Sequence, residues 1–244
     1  MPSPVSQSKS ARWYNAEQFH HDRPWHGFDP ASTAVVLVDL INWQAHPRGS
    51  SLLGLLEVGS NGQYDYITQR CSDLVLPNLA AVLPAARAAG ALVVHTRLAS
   101  VAADYSDAVP AFRPYMELSQ AREGTWASEV LDGLGPEPGD LSILKCGSGA
   151  FVSSGLDEEL RARGIDTVIH AGVVTNACVL LTAGAGFDLG YRQYVIGDAT
   201  AAMSEEDQQA AERFMDSYIA QVVTSAEVVS AFAASTQEAT AGES

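Results

Sequence analysis

The chain has 244 residues, 47% hydrophobic and 18% charged, which suits one folded domain with a sizeable core and excludes a fibrous or wholly disordered protein. Its formal net charge of −15 argues against nucleic acid and anionic membrane surfaces as partners, since both reward clustered Lys and Arg. Three scattered cysteines (Cys71, Cys146, Cys178) exclude a disulfide framework, and no apolar run suits a membrane span or signal peptide, so a cytoplasmic protein with reduced thiols is expected.

In chain order, residues 1–10 are polar and are expected to form a disordered tail, as are residues 235–244, leaving a domain over 11–234. HHDRPWH, with His20, His21 and His26, has no ligand spacing tied to a helix or strand and is read as a surface segment packing through Trp25. A first strand is predicted over 34–38 (AVVLV), ending at Asp39. A long connection over 42–72 follows, then a helix over 73–89 with Leu74, Leu79, Val82 and Leu83 at helical spacing and Gly90 as its stop. The second strand is 92–96 (LVVHT), and a second long connection covers 97–140. The third strand, 141–144 (LSIL), runs into Lys145; a helix over 156–163 and Gly164 precede the fourth strand, 168–171 (VIHA). The remaining elements are a helix over 176–189, a strand over 194–196, a helix over 204–217, a strand over 221–224 and a helix over 225–233.

Strands that are apolar throughout and separated by helices imply a parallel sheet covered on both faces. The expected fold class is therefore α/β: a single-domain, doubly wound parallel sheet of about six strands with helices on both faces, a Rossmann-like three-layer arrangement. Connections as long as 42–72 and 97–140 usually act as lids, binding loops or oligomer contacts. His95 and His170 fall mid-strand and are expected in the core.

Open parallel sheets bind ligands beyond the carboxyl ends of their strands. There the sequence delivers an acid (Asp39), a base (Lys145) and a thiol (Cys178) to one edge. If Thr175 caps the following helix, Cys178 sits in its first turn, where free N–H groups and the helix dipole favour a thiolate and can receive an oxyanion. Taken singly, Cys178 could be a buried structural cysteine, Asp39 a loop cap and Lys145 a solvated cation. Cys146 follows a strand without opening a helix and lacks that geometry. Trp43, Tyr64, Tyr66 and Phe151 are candidate pocket aromatics on the same edge.

The order Asp39, Lys145, Cys178, the segment GVVTNACVLLTAGAGFDLGY at 172–191 and DAT at 198–200 resemble the isochorismatase-like hydrolases. That superfamily includes nicotinamidases, N-carbamoylsarcosine amidases, ureidoacrylate amidohydrolases and biuret hydrolases, and the resemblance spans roughly 30–232. It implies Cys178 as nucleophile, Asp39 as general acid/base and Lys145 as orienting cation. It also implies a cis peptide between Val173 and Val174, with the Val174 and Cys178 N–H groups as an oxyanion hole. The implied reaction cleaves a carboxamide, carbamoyl or ureido C–N bond of a small molecule through a thioester, with no cofactor, in a homodimer or homotetramer.

Departures from the family pattern qualify this. VVHTRLAS lacks the Asp-x-His of metal-binding nicotinamidases, so no metal is expected. The common D-x-Q-N-D-F is here Asp39-Leu-Ile-Asn-Trp-Gln44, and Gly147 stands where ureido-type enzymes often carry an Arg, a loss for which Arg97 or Arg113 could compensate. Asn42, Trp43, Phe151 and Arg97 are the expected substrate-binding residues. The alternatives are an isochorismatase-type vinyl-ether hydrolase, whose members typically lack the cysteine, and a non-catalytic binding member of the fold.

Overall fold

The computed structural model describes residues 28–49 and 63–242. The N-terminal tail, HHDRPWH and residues 50–62 of the first long connection lie outside the described residues. Six strands form one sheet in the order β3-β2-β1-β4-β5-β6, every neighbouring pair parallel. They are β1 (Thr33–Val38), β2 (Leu92–Leu98), β3 (Leu141–Lys145), β4 (Thr167–Val173), β5 (Arg192–Ala201) and β6 (Gln221–Val223).

All six residues of β1 are buried, because helices cover both faces of the sheet. The period of two sorts them. Val35 and Leu37 join the core under helices α2 (Gln63–Arg70), α3 (Leu76–Ala88) and α9 (Ser225–Gly242), with Ile67, Leu79, Leu83 and Phe232. Ala34, Val36 and Val38 face the other core, under α5 (Ala150–Ser153), α6 (Leu156–Ala162), α7 (Leu180–Asp188) and α8 (Glu205–Phe214). A third cluster of Ile41, Trp43, Leu98, Met116 and Ala127 packs α1 (Asn42–Ala45) against the 97–140 connection, which carries α4 (Arg113–Ser119). Thus the second long connection folds over the carboxyl edge of the sheet.

Three elements are longer than their apolar pattern suggests. Helical structure begins at Gln63 and passes through a π turn at Cys71–Val75 into α3, ahead of the expected start at 73. QYDYITQR is too polar to show a buried stripe; it is held instead by Arg70, whose guanidinium donates to the carbonyls of Thr200 (2.9 Å) and Gly197 (3.1 Å). Those same bonds hold the polar GDATA end of β5, well beyond the strand predicted at 194–196. The last helix runs to Gly242, into the segment expected to be a disordered tail, with the Ser235 hydroxyl donating back to Ala231 O at 3.0 Å.

Candidate active site

Strands β1 and β4 lie side by side at the sheet's centre, where β2 and β5 diverge to either side, and their carboxyl ends carry the site. Asp39 follows β1 in a left-handed backbone conformation (φ 52°). Its N–H donates to Thr96 O (3.1 Å), and the Thr96 hydroxyl donates to Asp39 Oδ1 (3.3 Å). Lys145 ends β3, two strands away, roughly 10 Å at ordinary strand spacing. Its four-carbon stem spans that gap across the end of β2, bringing Nζ to 2.7 Å from Asp39 Oδ2. The same ammonium donates to Gly147 O and Ser148 O, both at 2.8 Å. The ammonium is thus held by one ion pair and two carbonyl hydrogen bonds.

Cys178 comes from the turn after β4. The Val173–Val174 peptide is cis, and Thr175–Val179 forms a π turn closed by Val179 N–H donating to Val174 O at 3.2 Å. The residue at the turn's N-terminus is Val174, with no side-chain cap, which corrects the expected role of Thr175. The Thr175 hydroxyl donates instead to Gln208 Oε1 (2.7 Å), which also accepts from Ala202 N–H (2.8 Å). Gln208 is buried and donates in turn to Thr200 Oγ1 at 2.9 Å and Glu212 Oε1 at 2.7 Å. Helix α8 thereby anchors the turn that carries Cys178, a contact that residue spacing did not signal. On its other side the Thr182 hydroxyl donates to Cys178 O (2.6 Å) and accepts from Ala150 N–H (3.1 Å). Gly172 makes this approach possible: a Cβ there would lie 2.1 Å from Val38 O, and its φ is +108°.

Asp39, Lys145 and Cys178 are all buried, and Cys178 interacts electrostatically with both of the others. Burial raises the Asp39 carboxyl above its usual 3.8, opposed by the Lys145 ammonium. Burial alone would lower Lys145, but the adjacent Asp39 and Cys178 hold it above its usual range. Burial pushes the Cys178 thiol up to about 12, with Lys145 pulling down and Asp39 pushing further up. Burial thus opposes the thiolate that the helix terminus is expected to favour. It keeps the Cys178 thiol neutral beside the Asp39 carboxyl.

The cysteine opens on a cavity of roughly 330 Å³, lined also by Trp43, Gln44, Ile67, Leu98, Ala111, Phe112, Tyr115, Val174, Ala177 and Met203. Of the expected substrate-binding residues, Trp43 lines it. Asn42 does not; its amide donates to Trp126 O (2.8 Å) and pins the 97–140 connection. Phe151 packs on Tyr191, ring centroids 5.2 Å apart, in the core beneath α7. Arg97 adjoins Leu98 on β2 and so faces the opposite side, donating to Ser128 O at 3.4 Å. Arg113 is held by Tyr105 O (3.2 Å) and Ser106 O (3.4 Å). Tyr66 donates to Glu205 Oε2 (2.6 Å) away from the cavity, and the side chain of Tyr64 lies outside the described residues. The lining residues Leu98, Phe112, Tyr115 and Met203 escaped the sequence reading. Leu98 closes a strand at the right edge, and the length of the 97–140 connection was the only sign of the other two aromatics.

His95 and His170 are core residues as expected, His95 against Asp140 Oδ2 at 3.3 Å and His170 against Gln193 Oε1. The Cys146 thiol lies 3.8 Å from Ser153 O, outside the cavity. Among the described residues, no group of three or more His, Cys, Asp and Glu is placed to hold a metal ion, and no helix is long and apolar enough to cross a membrane.

Comparison with known proteins gives a consistent picture. A family model described as the isochorismatase domain matches residues 65–227, a span that includes Lys145 and Cys178. The chain is 31% identical over 219 residues to the ureidoacrylate amidohydrolase RutB of Caulobacter segnis, covering 84% of this chain and 87% of that protein. Among solved structures it is similar to a cysteine hydrolase from Pseudomonas syringae pv. phaseolicola (26% identity, TM-score 0.74, 88% of this chain and 99% of that one). It is also similar to an N-carbamoylsarcosine amidase from Thermoplasma acidophilum (27% identity, TM-score 0.62, 80% and 96%).

Proposed function

The chain belongs to the isochorismatase family of hydrolases, and from that premise we propose that it is a cysteine amidohydrolase cleaving the C–N bond of a small amide. One observation carries this reading: Asp39, Lys145 and Cys178, from three different strand ends, meet as one buried cluster beside an open cavity. The names of the relatives, an amidohydrolase, a cysteine hydrolase and an amidase, support the same class.

The steps follow from the protonation states. Asp39 takes the thiol proton as sulfur attacks the carbonyl carbon, so a full thiolate need not precede attack. The tetrahedral oxyanion is received by the N–H groups of Val174 and Cys178. The C–N bond then breaks, Asp39 gives its proton to the departing nitrogen, and an acyl thioester remains on Cys178. Water, deprotonated by Asp39, attacks that thioester; the C–S bond breaks, the acid leaves and the thiol is restored. Lys145 keeps Asp39 ionised between steps and fixes Oδ2.

Ammonia release from a panel of carboxamides, carbamoyl and ureido compounds tests the reading, with Cys178→Ala beside the wild-type protein. Release by the wild type alone is expected. Equal release by both proteins would overturn the nucleophile assignment. Alkylation at Cys178 separates the rival readings, since a vinyl-ether hydrolase would keep its activity and a binding protein has none to lose.

A further inference from the structure

We propose that the cavity selects an uncharged amide with an apolar acyl group and rejects amides that carry a carboxylate, an inference that rests on the amidohydrolase reading above. Apart from Gln44 and the hydroxyl of Tyr115, the walls around Cys178 are apolar, built largely from Trp43, Ile67, Leu98, Phe112, the Tyr115 ring and Met203. Among the described residues, no Lys, Arg or His lines the space. The nearby Lys145 ammonium is already engaged, paired with Asp39 and donating to Gly147 O and Ser148 O. Arg97, beside Leu98, points to the opposite face of the sheet and donates to Ser128 O. Arg113, beside Phe112, is held by the carbonyls of Tyr105 and Ser106. Even the Trp43 indole N–H is committed, at 2.8 Å to Leu98 O, so this ring offers the cavity only apolar surface.

A carboxylate brought into such a space loses its hydration and finds no counter-ion, whereas an alkyl or aryl group gains burial. The scissile amide alone is polar enough to need partners, and the nucleophile turn supplies them.

Hexanamide and adipamate test this as a matched pair, the same six-carbon amide ending in methyl or in carboxylate. Binding of each to Cys178→Ala is measured by calorimetry, and ammonia release from each by the wild type. Hexanamide is expected to bind and to be hydrolysed with kcat/KM at least ~100-fold above adipamate. Phe112→Arg, which places a cation at a half-buried wall position, is expected to shrink or invert that ratio. Equal or tighter binding of adipamate, faster turnover of adipamate, or no binding of hexanamide would each overturn the selection. Hexanamide binding without ammonia release from either amide would leave the selection standing and sink the amidohydrolase reading instead.

Discussion

The Lys145 ammonium stands 2.7 Å from Asp39 Oδ2, with both side chains cut off from solvent. Buried ion pairs are costly to assemble and contribute little net stability, because desolvation offsets attraction. Breaking one by removing a single partner is another matter, since the survivor is left charged and unpaired. Lys145→Met is therefore expected to lose about 3–5 kcal/mol in urea unfolding. Asp39→Leu/Lys145→Met should recover most of that loss, while neither variant turns over substrate. A double variant as unstable as the single one would show that Lys145 is held for packing rather than for Asp39.

The neutral state of Cys178 has a kinetic signature. With the thiol pushed up to about 12, its thiolate fraction grows about tenfold per pH unit through the whole accessible alkaline range. Iodoacetamide labelling of Cys178, resolved by peptide mass spectrometry from Cys71 and Cys146, should rise with pH between 7 and 10 without levelling. A plateau near pH 8 would mean a pre-ionised nucleophile.

Gly172 is where β4 passes closest to β1. A methyl group there would meet Val38 O at 2.1 Å in a backbone conformation that L residues rarely adopt. Gly172→Ala should lower Tm by on the order of 10 °C, from the combined overlap and strain. An unchanged Tm would show that the strand ends can part without cost.

His170 makes stability fall on the acid side. Burial lowers its pKa from 6.5 to about 4, and a proton on its ring would put an N–H at Nδ1 with no partner among the described residues. Above pH 6.5 the imidazole is neutral in both folded and unfolded chains, and its contribution is fully present. As pH falls from 6.5 toward 4 the unfolded chain takes up the proton first, so on the order of 3 kcal/mol is lost. Burial lowers His95 as well, so it adds loss in the same direction. His170→Gln should flatten the slope of unfolding free energy between pH 4 and 6.5; an unaltered slope would place the proton uptake elsewhere.

The sheet was legible because its strands are apolar and β-branched along their centres and the intervening helices end at glycines. The candidate site was legible for a related reason: a doubly wound fold places strand ends together, so Asp39, Lys145 and Cys178 could be located by counting strands. What escaped was held by polar contacts between distant segments. Arg70 and Gln208 stabilise the far end of β5 through carbonyl and hydroxyl partners, and neither leaves a periodic trace. Cavity walls were harder still. Asn42 and Trp43 are adjacent, yet one pins a loop and the other lines the cavity, because α1 turns them to different neighbours. Arg97 was expected on chemistry alone, and strand alternation sends it to the other face.

The central claim is a covalent thioester on Cys178, and partitioning by hydroxylamine tests it most directly. An acyl-enzyme common to all leaving groups must divide between water and hydroxylamine in a fixed ratio. Hexanamide and N-methylhexanamide should therefore give the same proportion of hydroxamate to hexanoate with the wild-type protein, and neither product with Cys178→Ala. A ratio that depends on the leaving group, or hexanoate formed at full rate by Cys178→Ala, would mean that water attacks the amide directly and would contradict the account.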